Sequence, residues 1–212
     1  MRPQASGRSR ALTLSRALPL ILALGLSSIC FLEACSGPKT PTTALHGDDI
    51  RGVMPSLEFT LTGPSGATMT AADVRGKTVL LYFGYTHCPD VCPATLAKLS
   101  QALKRFGPAA AAVRVLFVSV DPKRDSGQAL GSYASYFGPQ VMGLTGTDDQ
   151  LTALTKRYRV AYRRDAPDAS GDYAVYHSSA VFVFDQDGSA RLLATPAETS
   201  DELAEDLKAV IR

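Results

Sequence analysis

The stretch Thr78-Val79-Leu80-Leu81-Tyr82-Phe83-Gly84-Tyr85-Thr86-His87-Cys88-Pro89-Asp90-Val91-Cys92-Pro93 decides how this chain is read. Its first six residues form a continuous apolar, β-prone run, the pattern of a central strand covered on both faces. Beyond it the spacing predicts a helix with Leu96, Leu99, Leu103 and Phe106 on one face, closed by Gly107-Pro108. A strand running into a helix places Cys88 and Cys92 just past the carboxyl end of the strand. Ligand sites in open α/β sheets form at that edge.

Working outward, Val113 to Val120 reads as a second buried strand, ending in the polar loop Asp121-Pro122-Lys123-Arg124-Asp125. A helix through Leu130, Tyr133 and Phe137 stops at Gly138-Pro139, and Val141 to Leu144 is a short strand. Thr147 with Gln150 is a capping box that opens a helix to about Tyr158. After a loop over 164–172, His177 is expected to begin an apolar strand through Ala180 to Phe184, which Asp187-Gly188 turns back into Ala190 to Leu193. Thr199 with Glu202 caps a final helix to Ile211. Upstream, Leu57 to Leu61 alternates as a half-buried strand, and Gly63 to Gly66 turns it back. This order predicts an α/β class: a thioredoxin-like fold with a mixed central sheet, an added N-terminal β-hairpin and an inserted helix. There is no GxGxxG or GxxxxGK phosphate loop and no GxSxG elbow.

The 212 residues are 45% hydrophobic and 20% charged, a globular composition with room for one domain. The formal charge of +2 is carried by the first 34 residues, which hold Arg2, Arg8, Arg10 and Arg16 against Glu33. The remainder has 18 basic and 19 acidic residues, so no nucleic-acid partner is expected. Residues 1–34 read as an export signal, with a 15-residue apolar core from Leu18 to Leu32 that is short for a spanning helix. An uncleaved anchor is the competing reading. Leu32-Glu33-Ala34-Cys35 resembles a bacterial lipoprotein box, with Glu33 where a small residue is usual. It makes Cys35 the expected lipidation site and the outer face of a bacterial membrane, the periplasmic side, the expected location. Residues 35–50 read as a flexible tether, with His46 solvated in it, and 51–212 as the folded domain.

Cys88 and Cys92 are then the cysteines of the mature fold. Four residues apart, they share one helix face if the helix begins near Cys88, with both thiols at its positive end. A close pair in an oxidising compartment is a disulfide, a redox couple or a metal site. Four residues of helix rise about 6 Å, which a disulfide tolerates. Two thiolates with room between them equally suit a soft ion, Cu(I) or Zn(II). His177 is available as a third ligand, whereas His87 reads as local structure or pKa tuning.

Leu81 to Pro93 resembles the signature of the Sco/SenC family, the copper-binding assembly factors of cytochrome c oxidase. Val118 to Asp125, Leu144-Thr145-Gly146 and Tyr173 to Ser178 resemble that family's further blocks, in the same order, from about Val53 to the C-terminus. The resemblance implies one copper, Cu(I) or Cu(II), held by Cys88, Cys92 and His177, with Asp121 nearby as an outer or partner-contacting group. The residue before the strand histidine is often Asp in that family; here it is Tyr176. The function implied is that of a metallochaperone rather than an enzyme. It would deliver copper to, or prepare, the dinuclear copper centre of cytochrome c oxidase subunit II, served by another copper carrier or a thiol reductant. The alternatives are a thiol–disulfide oxidoreductase using Cys88 and Cys92, and a peroxidase-like enzyme on the same fold.

Overall fold

The structure, a computed structural model, describes residues 45–211. In chain order the elements are β1 (Asp48–Asp49), β2 (Thr60–Thr62), β3 (Thr68–Thr70), β4 (Thr78–Gly84), α1 (Val91–Phe106), β5 (Val113–Ser119), α2 (Gly127–Tyr136), β6 (Val141–Leu144), α3 (Asp148–Arg157), β7 (Tyr162–Arg164), β8 (Val175–His177), β9 (Val181–Phe184), β10 (Ala190–Ala194) and α4 (Ser200–Val210). Six strands form one mixed sheet in the order β1-β10-β9-β4-β5-β6. The expected α/β architecture with a thioredoxin-like mixed sheet is therefore present.

β4 is central because all seven of its residues are apolar, small or β-prone and can be buried on both faces, and all seven are buried. It pairs parallel with β5 from Thr78–Val113 to Gly84–Ser119, and antiparallel with β9. The crossover is α1, whose buried face is Cys92, Thr95, Leu96, Leu99, Ala102 and Leu103. That spacing is a helix stripe, and it continues onto Cys92, so burying the stripe also seats the thiol. Trimming Leu99, which is fully buried, to Ala would cost about 2–5 kcal/mol. The Thr147–Gln150 and Thr199–Glu202 capping boxes both form.

Three expectations need correction. Residues 57–59 keep the alternating burial of a strand but have no ladder partner, since Leu57 N donates to Gly188 O and Glu58 N to the Tyr158 hydroxyl. Only Thr60–Thr62 pairs, with β3. Second, the end of the expected tether is part of the fold. β1 pairs with β10, Ile50 is buried, and the buried Asp206 carboxylate accepts His46 N and Gly47 N, each at 3.0 Å. His46 is not merely solvated, because its Nε2 lies 3.1 Å from Glu205. Third, His177 does not open the strand of the central sheet. It ends β8, which pairs with β7 in a separate two-stranded sheet, and β9 starts only at Val181. Apolar periodicity does not register that break, because Ser178 turns its N–H to Ala161 O instead of to the main sheet. The expected signal, the lipidation site Cys35 and most of the tether lie outside the described residues.

Candidate metal centre

The centre is assembled from three parts of the chain: the β4–α1 connection, the first turn of α1 and the end of β8. α1 begins at Val91, after Asp90 as N-cap, so Cys88 precedes the helix instead of lying on its face. The sulfurs still converge, for a different reason. Asp90 makes no side-chain cap, and the Cys88 sulfur takes that place, accepting Cys92 N–H at 3.4 Å. A sulfur that caps a helix start receives the orphan amides and the positive end of the helix dipole.

Cys92 is fully buried and Cys88 half-buried, and neither is in a disulfide. Burial by itself would raise the Cys88 pKa. The N–H groups of Cys92, Asp90 and Val91 and the Cys92 thiol overcome that, and the net shift is downward. Cys92 goes the other way: burial, reinforced by the neighbouring Cys88 and only partly offset by hydrogen bonds from Tyr85 and Tyr82, pushes it up to about 12. The pair therefore consists of one thiol disposed to ionise and one that stays protonated.

His177 supplies the third donor. Its Nδ1 lies 2.9 Å from the Ser178 carbonyl oxygen, which can only accept, so Nδ1 carries the proton. Nε2 is left as a lone pair, 3.1 Å from the Cys92 sulfur. Burial lowers the His177 pKa despite the Ser178 contact, which keeps the ring neutral. The rings of Tyr82 and Tyr85 stand edge-on to it at 6.2 and 6.0 Å. One donor atom from each of Cys88, Cys92 and His177 lies within 4.8 Å of the others, and among the described residues this is the one group of three or more potential ligands so placed. Two soft sulfurs and a neutral imidazole in a half-buried corner fit Cu(I) or Zn(II) far better than a hard cation.

The other expected residues fall outside this triangle. The Asp121 carboxylate is wholly buried and holds Arg124 and the Tyr173 hydroxyl, so direct contact with a partner, one of its two expected roles, is not available to it. His87 is exposed and its Nδ1 lies 3.2 Å from Thr86 Oγ1, the local role expected of it. Tyr176 points away from the site under Arg163, whose guanidinium is 4.7 Å from its ring.

Two features escape sequence reasoning. A Cβ at Gly84 would stand 2.5 Å from the Phe117 ring and 3.1 Å from the Cys92 sulfur, so only glycine lets α1 start this close to β4. Asp125, also buried, accepts Thr86 N at 2.7 Å together with the hydroxyls of Thr86 and Ser119. It braces the loop two residues before Cys88. The sequence signals were a glycine ending an apolar strand and a second Asp four residues after Asp121.

The SCO1/SenC family model matches residues 53–212. The mitochondrial protein SCO2 homolog of Bos taurus is 37% identical over 153 residues, 71% of this chain and 58% of that protein. The chain spans 50 to 60% of the length of the first three mammalian relatives it matches. Among solved structures, Bradyrhizobium japonicum ScoI with copper bound is 36% identical, with a TM-score of 0.67 over 73% of this chain and 98% of that one. A more distant neighbour in fold, BsSco, is 20% identical with a TM-score of 0.60, covering 79% of this chain and 98% of its own. It is described as having a disulfide switch and as a member of the Sco family of cytochrome c oxidase assembly proteins. With the match running through every element that builds the Cys88–Cys92–His177 corner, this chain belongs to the SCO1/SenC family.

Proposed function

We propose that the protein is a copper metallochaperone, binding one copper through Cys88, Cys92 and His177 and passing it to the dinuclear copper centre of cytochrome c oxidase subunit II. The observation that carries this reading is the convergence of the three donors within 4.8 Å. Related proteins solved with copper bound support the same cargo, and the family of BsSco, described as one of cytochrome c oxidase assembly proteins, is in keeping with that destination.

The apo geometry suggests how loading proceeds. The Cys92 sulfur and Nε2 lie 3.1 Å apart, and the ion binds between them as the Cys92 thiol gives up its proton. Ordinary metal–sulfur and metal–nitrogen bonds of about 2.3 and 2.0 Å open that separation by about 0.5 Å. Cys88, disposed to ionise, makes the first bond. Three donors leave coordination room for an acceptor thiolate or imidazole, so the ion can be handed over without ever being bare. A lipidated Cys35 would hold donor and acceptor on one membrane surface, the periplasmic one, and raise their effective concentration.

A thiol–disulfide activity is a second reading, favoured by the contrast between the two thiols. Cys88 thiolate would attack an acceptor disulfide, forming a mixed disulfide, and Cys92 would resolve it, leaving both acceptor cysteines reduced and a Cys88–Cys92 disulfide behind. His177 separates the readings. In the chaperone reading His177→Ala lowers Cu(I) affinity at least a hundredfold and stops oxidase maturation while disulfide exchange continues. Normal maturation in His177→Ala, with Cys88→Ser and Cys92→Ser inactive, would establish the redox reading instead.

A further inference from the structure

The β7–β8 hairpin carries His177, yet it shares no ladder with the six-stranded sheet. Its polar ties run mainly to the loop that follows β5, with one to α3. Arg164 Nε donates to Val120 O at 2.9 Å, and its Nη1 reaches Asp148 at 2.8 Å. The Tyr173 hydroxyl donates to Asp121 Oδ1 at 2.6 Å. The Arg124 guanidinium lies 3.7 Å from the Tyr173 ring centroid and pairs with both Asp121 and Asp172. The Asp121 carboxylate is fully buried and paired with Arg124, so the half-buried Tyr173 hydroxyl bonds to an acceptor that water does not reach.

The same loop braces the other half of the centre. Asp125 N donates to Asp121 O at 2.9 Å, and the Asp125 carboxylate fixes Thr86, two residues before Cys88. One short loop thus grips the thiol-bearing segment with Asp125 and the imidazole-bearing hairpin with Asp121. Tyr173 and His177 are four residues apart, and the intervening chain is mostly extended strand, too short and stiff to absorb a displacement at one end.

We propose that Tyr173 is a positioning residue whose hydroxyl, latched to Asp121, sets the distance between His177 and the two thiols. The latch belongs to the metal-free chain, and only its effect on copper rests on the chaperone reading. Tyr173→Phe removes the hydroxyl but keeps the ring under Arg124, which still neutralises Asp121, so the fold is retained. Tyr162→Phe is the control: it removes a hydroxyl from the same hairpin, one whose nearest partner is Thr152 at 3.5 Å.

The test compares the full chain as wild type, Tyr173→Phe and Tyr162→Phe. Amide exchange is followed without metal, and Cu(I) release by competition with a chromophoric chelator. Tyr173→Phe is expected to accelerate exchange over residues 162–177 about tenfold, leave residues 79–83 and 114–118 unchanged, and accelerate Cu(I) release by a similar factor. Tyr162→Phe is expected to match the wild type in both. Unchanged exchange in Tyr173→Phe overturns the latch. Faster exchange with unchanged Cu(I) release overturns the positioning role and leaves Tyr173 a purely structural tie. A wild-type chain that takes up no Cu(I) overturns the chaperone reading instead, and the exchange comparison then decides the latch on its own.

Discussion

Cys88 Sγ accepts the backbone N–H of Cys92, so the first thiol caps the helix that carries the second. Its reactivity follows from that placement. At pH 7.5 iodoacetamide is expected to modify Cys88 at least tenfold faster than Cys92, which is fully buried and whose pKa is pushed up to about 12. Peptide mapping after a timed quench reads the ratio. Equal rates at the two positions would refute the assignment.

The same contrast fixes the proton count of metal uptake. Above the lowered Cys88 pKa, only Cys92 still holds a proton to be displaced, so about one proton is released per ion. Below it, both thiols are protonated and the count rises towards about two. Calorimetric Cu(I) titrations in buffers of different ionisation enthalpy, at several pH values, measure this directly. A count that stays flat or increases with rising pH contradicts the scheme.

Gly84 controls how near the helix start can come to β4. Gly84→Ala places a methyl against the Phe117 ring and the Cys92 sulfur, so one of them must move. We expect a loss of about 1–3 kcal/mol from overpacking, together with weaker metal binding. Denaturant melts and copper competition on the purified variant test both parts. Wild-type values in both would show that the contact is easily relieved.

The N-terminal clasp should respond to pH. The Glu205 hydrogen bond, with Asp206, Glu202 and Glu205 charges adding to it, raises the His46 pKa above its usual value against an opposing desolvation. A raised folded-state pKa contributes stability that is fully present below about pH 6.5 and is lost as pH rises through the folded value. Residues 46–50 are therefore expected to exchange amide protons more slowly at pH 5.5 than at pH 8.5, after correction for intrinsic rates. His46→Ala should abolish the difference, and a wild type with no difference would count against the clasp.

The sheet was largely readable from the residues because burial on both faces leaves an unmistakable apolar run, as in 78–83, and because capping boxes such as Thr147–Gln150 mark helix starts chemically. The centre was readable as a set of donors but not as a geometry. Cys88 lies before the helix because Asp90 is its N-cap and the sulfur does the capping, a competition that i to i+4 spacing does not encode. His177 ends a small hairpin because Tyr162 pairs with it across a ten-residue loop, a non-local choice. The resemblance put Asp121 near the centre, but the bracket it makes with Asp125 was not legible. Its acids are spaced like any polar loop, and only the tertiary fold buries them beneath Tyr173 and Thr86.

The separation of the β7–β8 hairpin from the main sheet has a consequence for the order of unloading. Local opening of a small unit costs only part of the free energy of global unfolding, whereas the two sulfurs are anchored to β4 and α1, the heart of the molecule. A held ion would lose its nitrogen first and its sulfurs last. The receiving protein would then meet a cation still gripped on one side and already vacated on the other, with the frame around it undisturbed.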